Sequence, residues 1–179
     1  DHWGLDAPDV VAHDFGGAVA LRAHLLHGAV FASLALIDVV ALRPWGSAFF
    51  RLVASSQNVF AALPGNLHEA LLREYIAGAS SRGLSPAVLD QIVDPWLGDG
   101  QAAFYRQIAQ GDERFTDEIE PEYGKINVPT LIVWGTDDQW IPPERATTLA
   151  AMIPGARLLL IEGGGHLVQE DCPEELVAT

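Results

Sequence analysis

The sequence predicts an α/β fold: a mostly parallel sheet with helices on both faces and an all-helical segment inserted between two of its strands. Three observations carry this expectation. Residues 1–42 read as strand, sharp turn, helix and second buried strand; residues 43–123 offer helices and turns but no strand candidate; residues 124–179 return to alternating strands and helices. Two strands joined through a helix lie parallel, because the helix carries the chain back along the sheet before the next strand begins.

The first strand is the β-branched, apolar run Asp-Val-Val-Ala-His ending at His13, and it stops at Asp14-Phe15-Gly16-Gly17. Apolar residues then recur at helical spacing (Ala18, Leu21, Ala23, Leu25, Leu26), and Gly28 suits the left-handed residue that ends a helix. Ser33 to Val40 reads as a second buried strand. In the helical stretch, Pro44, Pro64-Gly65, Asp94-Pro95 and Gly98-Asp99-Gly100 mark turns, and Ser85-Pro86 reads as an N-cap followed by proline at the first helical position. Asp112 to Glu122 holds six acids in eleven residues and reads as a solvated linker back to the sheet. Pro129 to Gly135 and Arg157 to Glu162 are strands, Pro143 to Met152 is a helix, and Pro173 opens a last one.

The 179 residues include 24 acidic and 10 basic side chains, a formal net charge of −14, with 49% hydrophobic residues. Such a chain has a core and is not intrinsically disordered. Its acidity repels phosphate backbones and anionic lipid, so neither nucleic acid nor a membrane surface is an expected partner. Cys172 is the single cysteine, which rules out an internal disulfide and fits a reducing, cytoplasmic setting. The longest apolar run, Val30 to Leu42, is interrupted by Asp38 and falls short of the roughly 20 residues of a membrane span.

A tight turn between a buried strand and a helix lifts its central residue above the sheet edge, where the helix dipole and free N–H groups favour an anion. In Ala12-His13-Asp14-Phe15-Gly16 that residue is Asp14, and the small Ala12 and Gly16 permit the tight backbone and close packing. Alone, Asp14 would read as an N-cap. Two later elements change its reading: Asp138 in Gly135-Thr136-Asp137-Asp138, and His166 after three glycines, each directly following an expected strand. Asp137 is the rival to Asp138.

This order of nucleophile, acid and histidine, around a helical insertion, resembles the α/β-hydrolase superfamily across nearly the whole chain, with Asp where esterases carry Ser. His13-Asp14-Phe15-Gly16-Gly17 is similar to the elbows of epoxide hydrolases and haloalkane or haloacetate dehalogenases. The resemblance implies catalytic Asp14, Asp138 and His166, with the Phe15 N–H in the oxyanion hole. Asp14 would form an alkyl ester, and His166, oriented by Asp138, would activate the hydrolytic water. It implies a small, largely apolar substrate, an epoxide ahead of an organohalide, and no metal or organic cofactor. His13, Trp45, Tyr105 and Trp140 are the expected substrate-binding residues.

Phe15 departs from the pattern, since these relatives commonly carry Trp or Arg beside the nucleophile and Phe has no donor for a halide. Epoxide opening instead needs an acid, and Tyr75, Tyr105 and Tyr123 are the candidates, with Tyr105 favoured. Ester or C–C bond hydrolysis on the same fold, or a non-catalytic small-molecule receptor, are the alternatives. The resemblance divides the chain into core segments 1–42 and 124–179 and a helical cap at 43–123. It leaves about 100 residues for the sheet and its helices, too few for a whole core of this family. The early strands and oxyanion loop are therefore expected upstream of Asp1, and the chain alone is expected to be inactive. The oligomeric state is left open.

Overall fold

The computed structural model describes residues 4–179; the first three positions of the expected 1–42 segment lie outside the described residues. Four strands, β1 (Asp9–Asp14), β2 (Ser33–Val39), β3 (Thr130–Gly135) and β4 (Arg157–Ile161), form a sheet in the order β1-β2-β3-β4. Every pairing is parallel. Helix α1 (Phe15–His27) connects β1 to β2 and α7 (Glu144–Met152) connects β3 to β4. Gly28 ends α1 in the left-handed conformation, φ 69°.

Neighbouring residues on a strand face opposite sides, and the core divides accordingly. Ala12, Leu34, Leu36, Ile132 and Trp134 pack on one side with Leu21 of α1 and Leu149 of α7. Ile37, Val133 and Ile161 pack on the other with Val168 of α8 (Val168–Asp171), Cys172 and Leu176 of α9 (Pro173–Val177). Helices thus cover both faces.

Between β2 and β3 lie α2 (Ala48–Ala61), α3 (Gly65–Ala77), α4 (Pro86–Val93) and α5 (Gly100–Ala109). Ser85 caps α4 by accepting the Val88 N–H, with Pro86 at the first position. This insertion has its own core of Val53, Leu72, Val93, Phe104, Tyr105 and Ile108. Its one buried imidazole is satisfied: His68 Nε2–H donates to the Trp96 carbonyl at 2.9 Å, and Nδ1 accepts the Tyr105 hydroxyl at 2.8 Å.

The acidic return segment differs from the expected solvated linker. It folds into α6 (Arg114–Asp117) and a 3-10 helix (Glu120–Lys125), and Ile119, just before that helix, and Tyr123, within it, are fully buried in the sheet's core. The Tyr123 hydroxyl donates to the Ala41 carbonyl at 2.5 Å. Several of its acids are paired, Glu118 with Arg22 at 2.7 Å and Asp117 with Arg43 at 3.2 Å. The end of the helical stretch expected at residues 43–123 therefore packs with the sheet. Among the described residues, no helix is long and apolar enough to cross a membrane.

Candidate active site

Asp14 ends β1 and stands directly before α1, with φ 48° and ψ −126°. A non-glycine residue in such a conformation costs on the order of 1–3 kcal/mol, a strain that clusters at functional sites. The turn is possible because α1 lies against β2. A Cβ on Gly17 would sit 2.3 Å from the Val39 Cβ, whereas one on Gly16 would meet only the Ala12 Cβ at 3.9 Å. The strict requirement for a missing side chain therefore falls on Gly17, one residue later than the sequence pattern suggests. The Asp14 side chain makes no capping hydrogen bond to α1. It lines a cavity instead.

His166 lies in the glycine-rich loop after β4 and is 1% exposed. A Cβ on Gly135 would meet the Gly164 carbonyl oxygen at 2.3 Å, and one on Gly165 would meet the Ser81 nitrogen at 2.6 Å. The glycines let the loop lie between the end of β3 and the helical insertion. His166 Nδ1–H donates to Asp138 Oδ2 at 3.0 Å, which turns Nε2 toward Asp14 Oδ1, 3.7 Å away. Asp138 Oδ1 accepts the Trp140 and Ile141 N–H groups at 2.7 and 2.9 Å. Asp137 bonds its own neighbour, Thr136. Burial pulls the His166 pKa down, but the Asp138 hydrogen bond and the charges of Asp138 and Asp14 outweigh it and raise the pKa above the usual value.

Two cavities meet at Asp14. One of about 570 Å³ lies between the sheet and the insertion, lined by apolar and aromatic residues including Phe15, Trp45, Tyr75, Trp96, Phe104 and Trp140. A smaller one of about 140 Å³ shares Asp14, Phe15, Trp45, Tyr75 and Trp140, and adds Ser47, Gln139 and Arg145. The Phe15 N–H, first in α1, has no intrahelical acceptor. Trp140 is sandwiched between His166, with ring centroids 4.9 Å apart, and Tyr75, at 4.5 Å.

Two expected substrate-binding residues are placed elsewhere. Tyr105 is fully buried in the insertion's own core and bonded to His68. Tyr75 on α3 lines both cavities in its stead, and burial, then the nearby Asp14 charge, raise the pKa of its hydroxyl and keep it protonated. His13 does not line the cavities; its Nε2–H donates to the His166 carbonyl at 2.8 Å. Burial and then the neighbouring His166 lower the His13 pKa. Trp45 and Trp140 do line the cavity, but the Trp45 indole N–H is bonded to the Thr116 hydroxyl at 2.9 Å.

The model of the alpha/beta hydrolase family matches residues 3–179. The chain belongs to that family. As an alpha/beta hydrolase it is similar to a fold protein of this type from Burkholderia ambifaria, 46% identical with a TM-score of 0.95 over 99% of this chain and 66% of that one. It is 26% identical to the uncharacterized hydrolase YugF of Bacillus subtilis over 97% of this chain and 64% of that protein. A ligand-free epoxide hydrolase, CorEH, shares the fold, with a TM-score of 0.76 at 16% identity over 99% and 67% of the two chains. The chain thus spans just under two thirds of the length of the Burkholderia and Bacillus relatives.

Sequence reasoning missed two further acids of this alpha/beta hydrolase. Asp171, 6% exposed, accepts the Gly165 N–H at 2.7 Å, the Ser81 N–H at 2.9 Å and the Ser80 and Ser81 hydroxyls, tying the insertion to the His166 loop. Asp38, at the end of β2, is fully buried. Its signal was an isolated carboxylate inside an apolar strand, where a charge has no place unless it is partnered or neutral.

Proposed function

We propose that the protein is a hydrolase that opens epoxides through an ester of Asp14. The observation that carries this reading is the Asp14–His166–Asp138 alignment at an apolar cavity that Asp14 and Tyr75 both line. An Asp14 oxygen attacks a ring carbon, the C–O bond breaks, and its electron pair goes to the ring oxygen, which takes the Tyr75 proton. His166 Nε2 then removes a proton from water, and the hydroxide adds to the ester carbonyl while the Phe15 N–H stabilises the oxyanion. Collapse releases the diol and leaves Asp14 as a carboxylate. The proton held by His166 returns to Tyr75, so the net change is addition of one water.

Two of the residues beside Asp14 offer no free side-chain donor to a leaving halide. The Phe15 side chain has no donor, and the Trp45 indole N–H is engaged by Thr116. Epoxide opening requires a proton donor in the cavity, and Tyr75, which lines it together with Asp14, offers a protonated phenol. Incubation of His166→Gln protein with an epoxide panel, followed by peptide mass spectrometry, tests the mechanism. A substrate-sized increment on the Asp14 peptide is expected, because ester formation proceeds while its hydrolysis does not. An increment elsewhere, or none for epoxides the unmodified protein hydrolyses, overturns the reading.

A further inference from the structure

Asp38 has an uncommon position for a carboxylate. The β1–β2 register steps from His13↔Ile37 to Asp14↔Val39, so Asp38 is the extra residue of a bulge, and its backbone has φ 44°. The bulge turns the side chain into the protein, where it is 0% exposed. Oδ1 accepts the Gly135 N–H at 2.9 Å. The same glycine's carbonyl accepts the Asp138 N–H at 3.3 Å, so the two aspartates bracket one residue of β3.

Their hydrogen bonding is unequal. Asp138 accepts three N–H donors, from Trp140, Ile141 and His166. Asp38 accepts one, and its Oδ2 is buried with no donor. A carboxylate with a full set of donors stays ionised, whereas a buried one that lacks donors beside a like charge retains its proton. A protonated Oδ2 becomes a donor, and Asp138 is the acceptor beside it.

We propose that Asp38 is a positioning residue that holds a proton beside Asp138, so that one carboxylate rather than two stands behind the His166 ring. The groups facing Asp38 are Asp138 from the loop after β3 and His166 from the loop after β4, while Asp14 of β1 stands at His166 Nε2 and the His13 ring lies beside that of His166. Burial first, then the Asp138 charge, push the Asp38 carboxyl up to about 8, against the opposing pull of the Gly135 N–H. Neutral Asp38 limits the negative charge that holds a proton on His166, leaving Nε2 free to act as a base. Once Asp38 ionises, a second negative charge favours the imidazolium and withdraws that base. The consequence for catalysis rests on the proposed role of His166; the protonation of Asp38 does not.

The test is a pH titration by nuclear magnetic resonance of protein carrying ¹³C in its aspartate carboxyls and histidine rings. The Asp38 signal is assigned through the Gly135 amide, and the His166 signal by its absence from His166→Gln. In the unmodified protein, the Asp38 carboxyl is expected to titrate near pH 8, with a second inflection of the His166 ring in the same range. Asp38→Asn keeps the shape and is permanently neutral, so it is expected to remove that inflection. An Asp38 carboxyl that titrates in the ordinary acidic range, or a His166 curve that Asp38→Asn leaves unchanged, overturns the proposal. Neither readout uses turnover, so absence of epoxide hydrolysis would leave this result standing by itself.

Discussion

Tyr75 and Tyr105 belong to the same helical insertion, yet only Tyr75 lines the cavity at Asp14, while Tyr105 is buried against His68. The proposed chemistry predicts that Tyr75→Phe lowers kcat for epoxide opening by about 10²-fold or more, the usual effect of removing a positioned acid. Tyr105→Phe is expected to leave kcat nearly unchanged, since Tyr105 bonds His68, and to cost about 1 kcal/mol of stability instead. Steady-state kinetics and denaturant unfolding of the two variants separate these effects. The choice between the tyrosines was not legible in the sequence, because each lies on an amphipathic helix and only the packing of α3 against α5 decides which faces the cavity. Asp14, Asp138 and His166 were legible because each follows a strand and is marked by a glycine-bearing turn. Asp38 is legible only as a lone carboxylate in an apolar strand; that one of its oxygens lacks a donor is a property of its neighbours.

At the scale of elements, the elbow depends on contact between α1 and β2. Gly17→Ala must displace Val39, whose Cβ would lie 2.3 Å from the new one, and is expected to destabilise the protein by about 1–3 kcal/mol. Gly16→Ala, with 3.9 Å of room, is expected to be tolerated. Thermal unfolding of both variants checks this, and a Gly16→Ala loss equal to that of Gly17→Ala would refute the assignment. The strands and most helices were readable because apolar runs bounded by glycine and proline have few alternative structures. The return segment was misread for a related reason. Its six acids dominate the pattern, while the two residues that fix its course, Ile119 and Tyr123, are visible as anchors only once the sheet beneath them is known.

For the whole molecule, the buried acid makes stability depend on pH. Burial pushes the Asp38 carboxyl from its ordinary 3.8 up to about 8 in the folded state, so the folded state is expected to bind more protons between those values. Stability is then greatest below the unfolded value and falls as pH rises through the folded one, on the order of 5 kcal/mol if Asp38 acts alone. His166, whose pKa is also raised in the folded state, changes stability in the same direction. Urea unfolding from pH 5 to pH 9 is expected to show this decline, and Asp38→Asn is expected to flatten it; an equal decline in the variant would place its origin elsewhere.

The two cavities that converge on Asp14 have a geometric corollary. An epoxide carbon with one bulky and one small substituent exists in two mirror-image forms, and the proposed attack by Asp14 opposite the departing oxygen fixes how each form must lie. With two unequal chambers of about 570 and 140 Å³ both reaching the carboxylate, one form would lodge its bulk in the larger space and the other would drive it against Ser47, Gln139 and Arg145. Handedness would then be selected by the unequal division of space around Asp14, with no residue dedicated to the task.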